Sequence, residues 1–167
     1  MIVAFAILGI VSTSIFSMML TGTKTYTKLT NTVKVQYDAQ LASAKIEKQL
    51  FNCNDAIFWT DDNQIILVQD NMVHAYCIKS GTKDLYYGTG ELDAEGKANL
   101  TMYLLAENVN LIAIASPKEI KVDGKTFISY VQLQMQLQRN DKIYDVEKTV
   151  TLRNKPEFKL YQVTMPF

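Results

Sequence analysis

The chain has 167 residues, with 17 basic and 17 acidic side chains and a formal net charge of zero at pH 7. This balance argues against a nucleic-acid binder, because such proteins usually carry a clear basic excess. The two cysteines, Cys53 and Cys77, are too few for a small disulfide-rich scaffold and wrongly spaced for a zinc site. The sequence leaves open whether they form one disulfide or stay two unpaired, half-buried thiols.

The first 23 residues contain no charged side chain, and 15 of the first 20 are Met, Ile, Val, Ala, Phe or Leu. About 20 apolar residues in a helix span the hydrocarbon core of a bilayer. A secretory signal would begin with basic residues and end at a small-residue cleavage site, and neither feature is evident. We therefore predict that residues 1–23 form a transmembrane helix, the alternative being a buried core helix.

The helix is expected to continue beyond the membrane, because residues 21–50 contain no proline and only one glycine, Gly22. Apolar residues in this stretch recur three or four positions apart, which places them on one helical face. We predict a single helix over residues 1–51 whose second half packs on a globular head, residues 52–167. The residues predicted to join helix and head are Leu29, Val33, Tyr37 and Leu41.

After residue 51 the pattern changes to that of short strands separated by turns. The stretches AIFWT, QIILVQ and MVHAYCIK are predicted strands, and residues 91–105 are ambiguous. A further strand is expected in ENVNLIAIAS, and Pro117 is expected to end it.

The clearest strand is residues 127–138, where Val131, Leu133, Met135 and Leu137 alternate with glutamines. Residues 142–154 are predicted to return as its hairpin partner, with Val150 and Leu152 facing inward. Together these stretches predict four to six mostly antiparallel strands with one apolar face. The expected fold class is α+β, with a long N-terminal helix packed on a β-sheet head.

This order of parts resembles the type IV pilin-like superfamily, which includes the pseudopilins of secretion and competence machines. The resemblance is carried by MIVAFAILGIVSTSIFSMMLTG at the start, the long helix to about Leu50, and VEKTVTLRN near the end. It covers the whole chain in architecture and is similar in particular to minor pseudopilins of the J type and to competence proteins. It implies a pilin-like fold and a non-catalytic minor subunit of a type IV pilus, type II secretion or competence filament.

The resemblance also implies a set of assembly residues in the apolar segment, where small side chains allow close helix contacts. These are Met1, Ala4, Phe5, Leu8, Gly9, Val11, Ser12, Ile15, Phe16 and Met19. The implied partners are other pilins or pseudopilins, inner-membrane assembly proteins and membrane lipid, with no nucleic acid bound directly. No cofactor and no metal are expected.

The chain departs from the family pattern at its start. The family's leader peptide, cleavage glycine and N-terminal glutamate are absent, and the first acidic residue is Asp38. We expect that Met1 is an internal methionine or that the N-terminus has been trimmed. Lys24 and Lys28 after the apolar segment would by themselves place the head in the cytoplasm. The family orientation places it outside the cytoplasm, and we follow the family.

No catalytic constellation is evident, so we expect that the chain is not an enzyme. His74 is the only histidine, predicted to be a surface residue of a strand, and Cys77 lies three positions away and hence on the opposite face. Asp61, Asp62 and Asn63 fit a turn better than a calcium site. Gly88 and Gly90 lack the rest of a dinucleotide-binding motif.

Two further groups of residues in the head are considered as possible contact surfaces. Trp59, Tyr86 and Tyr87 are predicted to pack in the core rather than to form a binding patch. The uncharged glutamine row at residues 132–138 fits either a packing surface for a neighbouring subunit or a plain solvated face. The alternative function for the whole chain is a membrane-anchored, extracytoplasmic binding module.

Overall fold

The protein is described by a computed structural model, which covers residues 2–60, 63–79, 81–139, 142–159 and 161–164. Two compact units can be distinguished, Met1–Gln36 and Tyr37–Phe167. The second unit therefore contains the end of the N-terminal helix as well as the sheet. The predicted division at residue 51 instead follows the change of secondary structure.

A single helix, α1, spans Ile2–Asn52 and confirms the helix predicted over residues 1–51. Its threonine-rich part is poor helix sequence by propensity, since β-branched side chains lose rotamer freedom. The hydroxyl groups compensate by donating hydrogen bonds to carbonyl oxygens four residues earlier. Thr23 donates to Met19, Thr27 to Thr23, and Thr32 to Lys28, at 2.8–3.0 Å.

Eleven strands follow the helix within the described residues. Their bounds are β1 Ala56–Thr60, β2 Gln64–Gln69, β3 Met72–Ile78, β4 Leu85–Glu91, β5 Lys97–Asn99, β6 Thr101–Ala106, β7 Val109–Val122, β8 Lys125–Arg139, β9 Lys142–Thr151, β10 Glu157–Phe158 and β11 Gln162–Thr164. The fold class is α+β, as predicted.

Nine of the strands form one sheet in the order β6-β4-β3-β2-β1-β10-β8-β7, with β9 also paired to β8. All pairs in it are antiparallel except β1 with β10. The predicted count of four to six strands was therefore too low. The missed strands are mainly short ones, such as β5, β10 and β11, which carry too few residues to show a period of two.

The hairpin predicted from the glutamine-rich strand is confirmed. Strand β8 pairs with β9 in a register that places Val131 opposite Val150, and both side chains are buried. Leu152 is buried too, as predicted.

The prediction that Pro117 ends its strand is wrong, because β7 continues through it to Val122. The strand tolerates proline because its pairing with β8 shifts register between Ala115 and Lys118, so Pro117 lies at a bulge.

The sheet buries apolar residues on both faces, whereas the sequence predicted one apolar face. A separate core cluster forms on the second face from Ala56, Ile66, Val68, Val73, Ala75, Ala98 and Leu100. The small sheet of β5 and β11 covers this cluster through Ala98 and Val163. All four residues Ile65–Val68 are consequently buried.

Candidate assembly surface

The predicted assembly residues of the N-terminal segment all lie on α1, except Met1, which is outside the described residues. Every residue from 2 to 30 is exposed, including large apolar side chains such as Ile2 (87%) and Phe5 (74%). The helix is long and apolar enough to cross a membrane. Two polar side chains of this segment form hydrogen bonds within the helix. The Thr13 hydroxyl donates to the carbonyl oxygens of Gly9 and Ile10, and the Ser14 hydroxyl donates to that of Ile10.

The prediction that Leu29, Val33, Tyr37 and Leu41 pack on the head is wrong. Tyr37 and Leu41 are 62% and 51% exposed, and Leu29 and Val33 are exposed as well. The buried stripe instead consists of Val35, Ala39, Ala42, Ser43, Ile46 and Leu50. Residues two apart on a helix are about 200° apart, so Tyr37 and Ala39 point in nearly opposite directions.

Small side chains explain which face is buried. Ala39, Ala42 and Ser43 let the helix backbone approach the rest of its unit closely, and Ile46 and Leu50 fill the space further along. The prediction from sequence assigned the larger apolar residues to the buried face instead. The signal that could have found the buried stripe is its own spacing of three and four residues, from Ala39 to Leu50.

The helix is fixed to the sheet on both flanks by charged side chains. On one flank the ammonium of Lys45 lies 3.6 Å from the ring centroid of Tyr87 on β4. On the other flank Lys148 on β9 donates to the carboxylate of Glu47 at 2.6 Å. These contacts leave the second apolar stripe of α1 uncovered, since Tyr37, Leu41 and Phe51 are all about half exposed or more.

A polar aromatic cluster lies beside Lys45. His74 Nδ1 and the Tyr87 hydroxyl are 2.8 Å apart, and the two rings are stacked with centroids 5.9 Å apart. His74 is thus a half-buried strand residue rather than a surface one. Burial, and then the charge of Lys45, lower the pKa of His74 below its ordinary value of 6.5.

Tyr76 belongs to the same cluster and is fully buried. Its hydroxyl has no hydrogen-bond partner among the described residues, and burial raises the pKa of Tyr76. The ring of Tyr76 lies 5.3 Å from that of Tyr87, which carries the Lys45 ammonium on its face, so the cluster contributes to the packing of α1 on β3 and β4.

The two cysteines are free thiols, so the disulfide alternative is not realised. Cys53 lies beside the carbonyl of Val68, which pairs with Val73 at one end of the β2–β3 hairpin. Cys77 lies four residues beyond Val73 on β3, and the rise of a strand places it about 13 Å from Val73. Burial raises the pKa of Cys53 to about 12 and that of Cys77 to about 11, which keeps both as unreactive thiols.

The glutamine row is engaged with its own hairpin partner. Gln136 donates to Asp145 at 2.9 Å, and both Gln132 and Gln134 donate to Glu147. Gln138 accepts from Asn110 at 2.8 Å. These amides therefore stabilise the outer face of β8 and β9, which favours the solvated face over the subunit-packing surface.

The remaining candidate sites have structural roles where they are described. Asp61 and Asp62 lie outside the described residues, while the Asn63 side chain accepts a hydrogen bond from Ile112 N at 3.1 Å. Gly88 and Gly90 lie within β4, where a Cβ atom would collide with Met102 and with the backbone of Asn99.

No group of three or more His, Cys, Asp or Glu in the described part of the chain could hold a metal ion. The predicted core aromatics Trp59, Tyr86 and Tyr87 are half buried, and Trp59 packs against Phe158 with centroids 4.7 Å apart.

Comparisons with models of protein families, with curated proteins and with solved structures found no match for this chain. The fold itself, a long apolar N-terminal helix with a β-sheet head, is compatible with a pilin-like subunit. The arrangement can anchor the chain in a bilayer and can offer apolar helix surface to neighbouring helices.

Proposed function

We propose that the chain is a non-catalytic minor pilin or pseudopilin subunit that assembles into a filament through its N-terminal helix. The filament would belong to a type IV pilus, a type II secretion machine or a competence machine. Its partners would be other pilins or pseudopilins and the inner-membrane proteins that assemble them. The head would lie on the extracytoplasmic side of the membrane.

The observation that supports this proposal best is the complete exposure of the apolar segment. Residues 2–20 include large side chains such as Ile2, Phe5 and Met18, each more than 70% exposed. Monomeric soluble proteins rarely expose a contiguous apolar surface of this extent, so the segment must be covered by lipid or protein. Moving from lipid into a bundle of like helices keeps that surface away from water throughout assembly.

The exposed stripe of the second helical half supports assembly rather than anchoring alone. A membrane anchor needs no apolar residues beyond the bilayer, yet Tyr26, Leu29, Val33, Tyr37 and Leu41 are each more than half exposed. They recur at intervals of three and four, as expected of a helix face that contacts another helix. Leu29, Val33, Tyr37 and Leu41 were predicted to be buried against the head. Because they are exposed instead, they can contact another helix.

The direct test uses Gly9, where a Cβ atom would meet nothing within 4 Å apart from its chain neighbours and the nearby backbone of its own helix. Replacing Gly9 with Leu leaves the isolated subunit unstrained but enlarges the helix surface. We expect Gly9→Leu to reach the membrane normally and to be lost from filaments sheared from cells. The matched variant Gly9→Ala adds a single methyl group and should be incorporated at close to the wild-type level.

Incorporation of Gly9→Leu at the wild-type level would overturn the assignment of this helix face. A gene deletion that leaves pili, secretion and DNA uptake intact would favour the alternative, a membrane-anchored extracytoplasmic binding module. In that case the apolar segment would serve only to hold the head at the membrane.

A further inference from the structure

The part of α1 that follows the apolar stretch carries positive charge without an acidic counterpart. Lys24, Lys28 and Lys34 all precede Asp38, which is the first acidic residue of the chain. Lys24 and Lys28 are exposed, and no carboxylate in the described part of the chain forms an ion pair with either of them. These charges also oppose the proposed orientation, since lysines beside a membrane span are usually kept on the cytoplasmic side. A partner for them must therefore be sought outside the chain.

The depth of these lysines follows from the length of the apolar stretch. Residues 2–20 of the helix rise about 28 Å, close to the roughly 30 Å thickness of the hydrocarbon core of a bilayer. With those residues in the core, the Cα atom of Lys24 lies about 6 Å beyond it, that of Lys28 about 12 Å and that of Lys34 about 21 Å. The headgroup region on each side is about 5–8 Å thick. Because helical side chains tilt toward the N-terminus, Lys24 and Lys28 are directed back toward that region.

We propose that Lys24 and Lys28 bind the phosphate groups of anionic phospholipids in the leaflet where α1 leaves the bilayer. The proposal rests on the proposed function in one respect, namely that α1 spans a membrane. The two lysines are four residues apart and about 40° apart around the helix, so both face the same patch of headgroups. Anionic headgroups supply the negative charge that this part of the chain lacks. Each lysine near such a surface strengthens the attraction about fivefold.

The lysine face of α1 is separate from the apolar stripe proposed to contact another helix. At about 100° per residue, Tyr26 points about 200° and Val33 about 180° away from Lys24. Both of these stripe residues are more than 60% exposed. A neighbouring helix seated on the stripe therefore leaves Lys24 and Lys28 free to contact lipid.

The test measures which phospholipids the full chain retains. The chain is reconstituted in vesicles of equal parts phosphatidylcholine and phosphatidylglycerol and then extracted in a mild detergent. The phospholipids that remain bound are quantified by mass spectrometry. We expect phosphatidylglycerol to be enriched in wild type, and Lys24→Gln to reduce that enrichment about fivefold. Lys28→Gln should have a smaller effect and Lys34→Gln almost none, because the distance from the headgroups increases in this order.

A matched pair of double variants separates headgroup binding from net charge. Lys24→Gln with Lys28→Gln removes two positive charges, and so does Lys83→Gln with Lys121→Gln, at two exposed positions of the head. Only the first double variant should lose the enrichment, and salt at about 0.5 M should weaken it in wild type. Equal enrichment in the two double variants would overturn the proposal, because lipid retention would then not depend on Lys24 and Lys28.

The measurement is independent of filament assembly, because the vesicles contain no other pilin. Resistance of the reconstituted chain to alkaline extraction shows whether it spans the bilayer. A chain that resists extraction but retains the two lipids in their bulk ratio would overturn the lipid proposal and leave the proposed function standing. A chain that alkali releases from the vesicles would overturn both.

Discussion

Large apolar side chains are exposed along residues 2–33 of α1 but mostly buried in the unit from Tyr37 onward. Phe5, Phe16 and Met19 are each more than 60% exposed, whereas Ile46, Leu67 and Leu133 are fully buried. Both regions are built largely from the same residue types. What differs is whether the chain supplies the cover for them.

The comparison indicates that stability has two separate sources. The unit from Tyr37 onward contains its own core, with buried residues on both faces of its sheet. Residues 2–30 of α1 are exposed throughout and contribute to no such core, so under the proposed function lipid or other helices would cover their apolar surface. Changes in one region should therefore leave the property that depends on the other unaffected.

The largest expected effect comes from a cavity in the head. Leu67 is fully buried on β2, and Leu67→Ala should lower the free energy of unfolding by about 2–5 kcal/mol. Chemical denaturation of the detergent-solubilised chain, followed by tryptophan fluorescence of Trp59, measures this loss. Membrane association of the same variant should be unchanged, and a parallel loss of both properties would contradict the separation.

The converse change places a charge in the apolar segment. Ile15 is 55% exposed on α1, and Ile15→Arg should oppose membrane insertion by about 3 kcal/mol. Alkaline extraction of membranes should release more of this variant than of wild type, while unfolding of the head is unaltered. Ile15→Leu serves as the control, and equal retention of the arginine variant would argue against a spanning helix.

A smaller effect is expected where helix and sheet meet. Glu47 and Lys148 are only partly buried, at 43% and 33% exposure of their side chains, so their ion pair is weak. Glu47→Gln should destabilise the head by less than about 1 kcal/mol. The loss should shrink in high salt, and a loss of several kcal/mol at any salt would mean that the pair has been underestimated.

The smallest effect concerns pH. Because burial lowers the pKa of His74 in the folded state, the unfolded chain binds a proton more readily. Stability should be full above the unfolded value of about 6.5 and should fall as the pH drops through the window just below it. Denaturation midpoints of wild type and His74→Gln between about pH 7.5 and pH 5 measure this, and equal slopes would remove His74 as the cause.

Much of the fold could be predicted from sequence because its signals are local. The extent of α1, the bounds of β1 and β2, and the β8–β9 hairpin follow from hydrophobic period and turn residues. The turn between β2 and β3 is an example, since Asp70 and Asn71 both adopt the positive φ that such residues tolerate. Short strands such as β5 and β11 lack a period and were missed.

The candidate surface was predicted less well because it depends on tertiary packing. The sequence has two apolar stripes on one helix, and only the fold decides which is buried. Ala39, Ala42 and Ser43 are buried because they permit close approach, while the bulkier Tyr37 and Leu41 remain exposed. The free thiols of Cys53 and Cys77 likewise follow from the β2–β3 register, which sequence spacing does not reveal.

The central claim, that the apolar segment is withdrawn from water while the rest of the chain is not, is tested most directly by cysteine labelling in membranes. Single variants Leu8→Cys, Ile15→Cys and Lys28→Cys are compared for reaction with a membrane-impermeant maleimide in open membrane fragments, where the reagent reaches both faces of the bilayer. We expect no labelling at Leu8 and Ile15 and full labelling at Lys28. Labelling of Leu8 and Ile15 as rapid as that of Lys28 would contradict it.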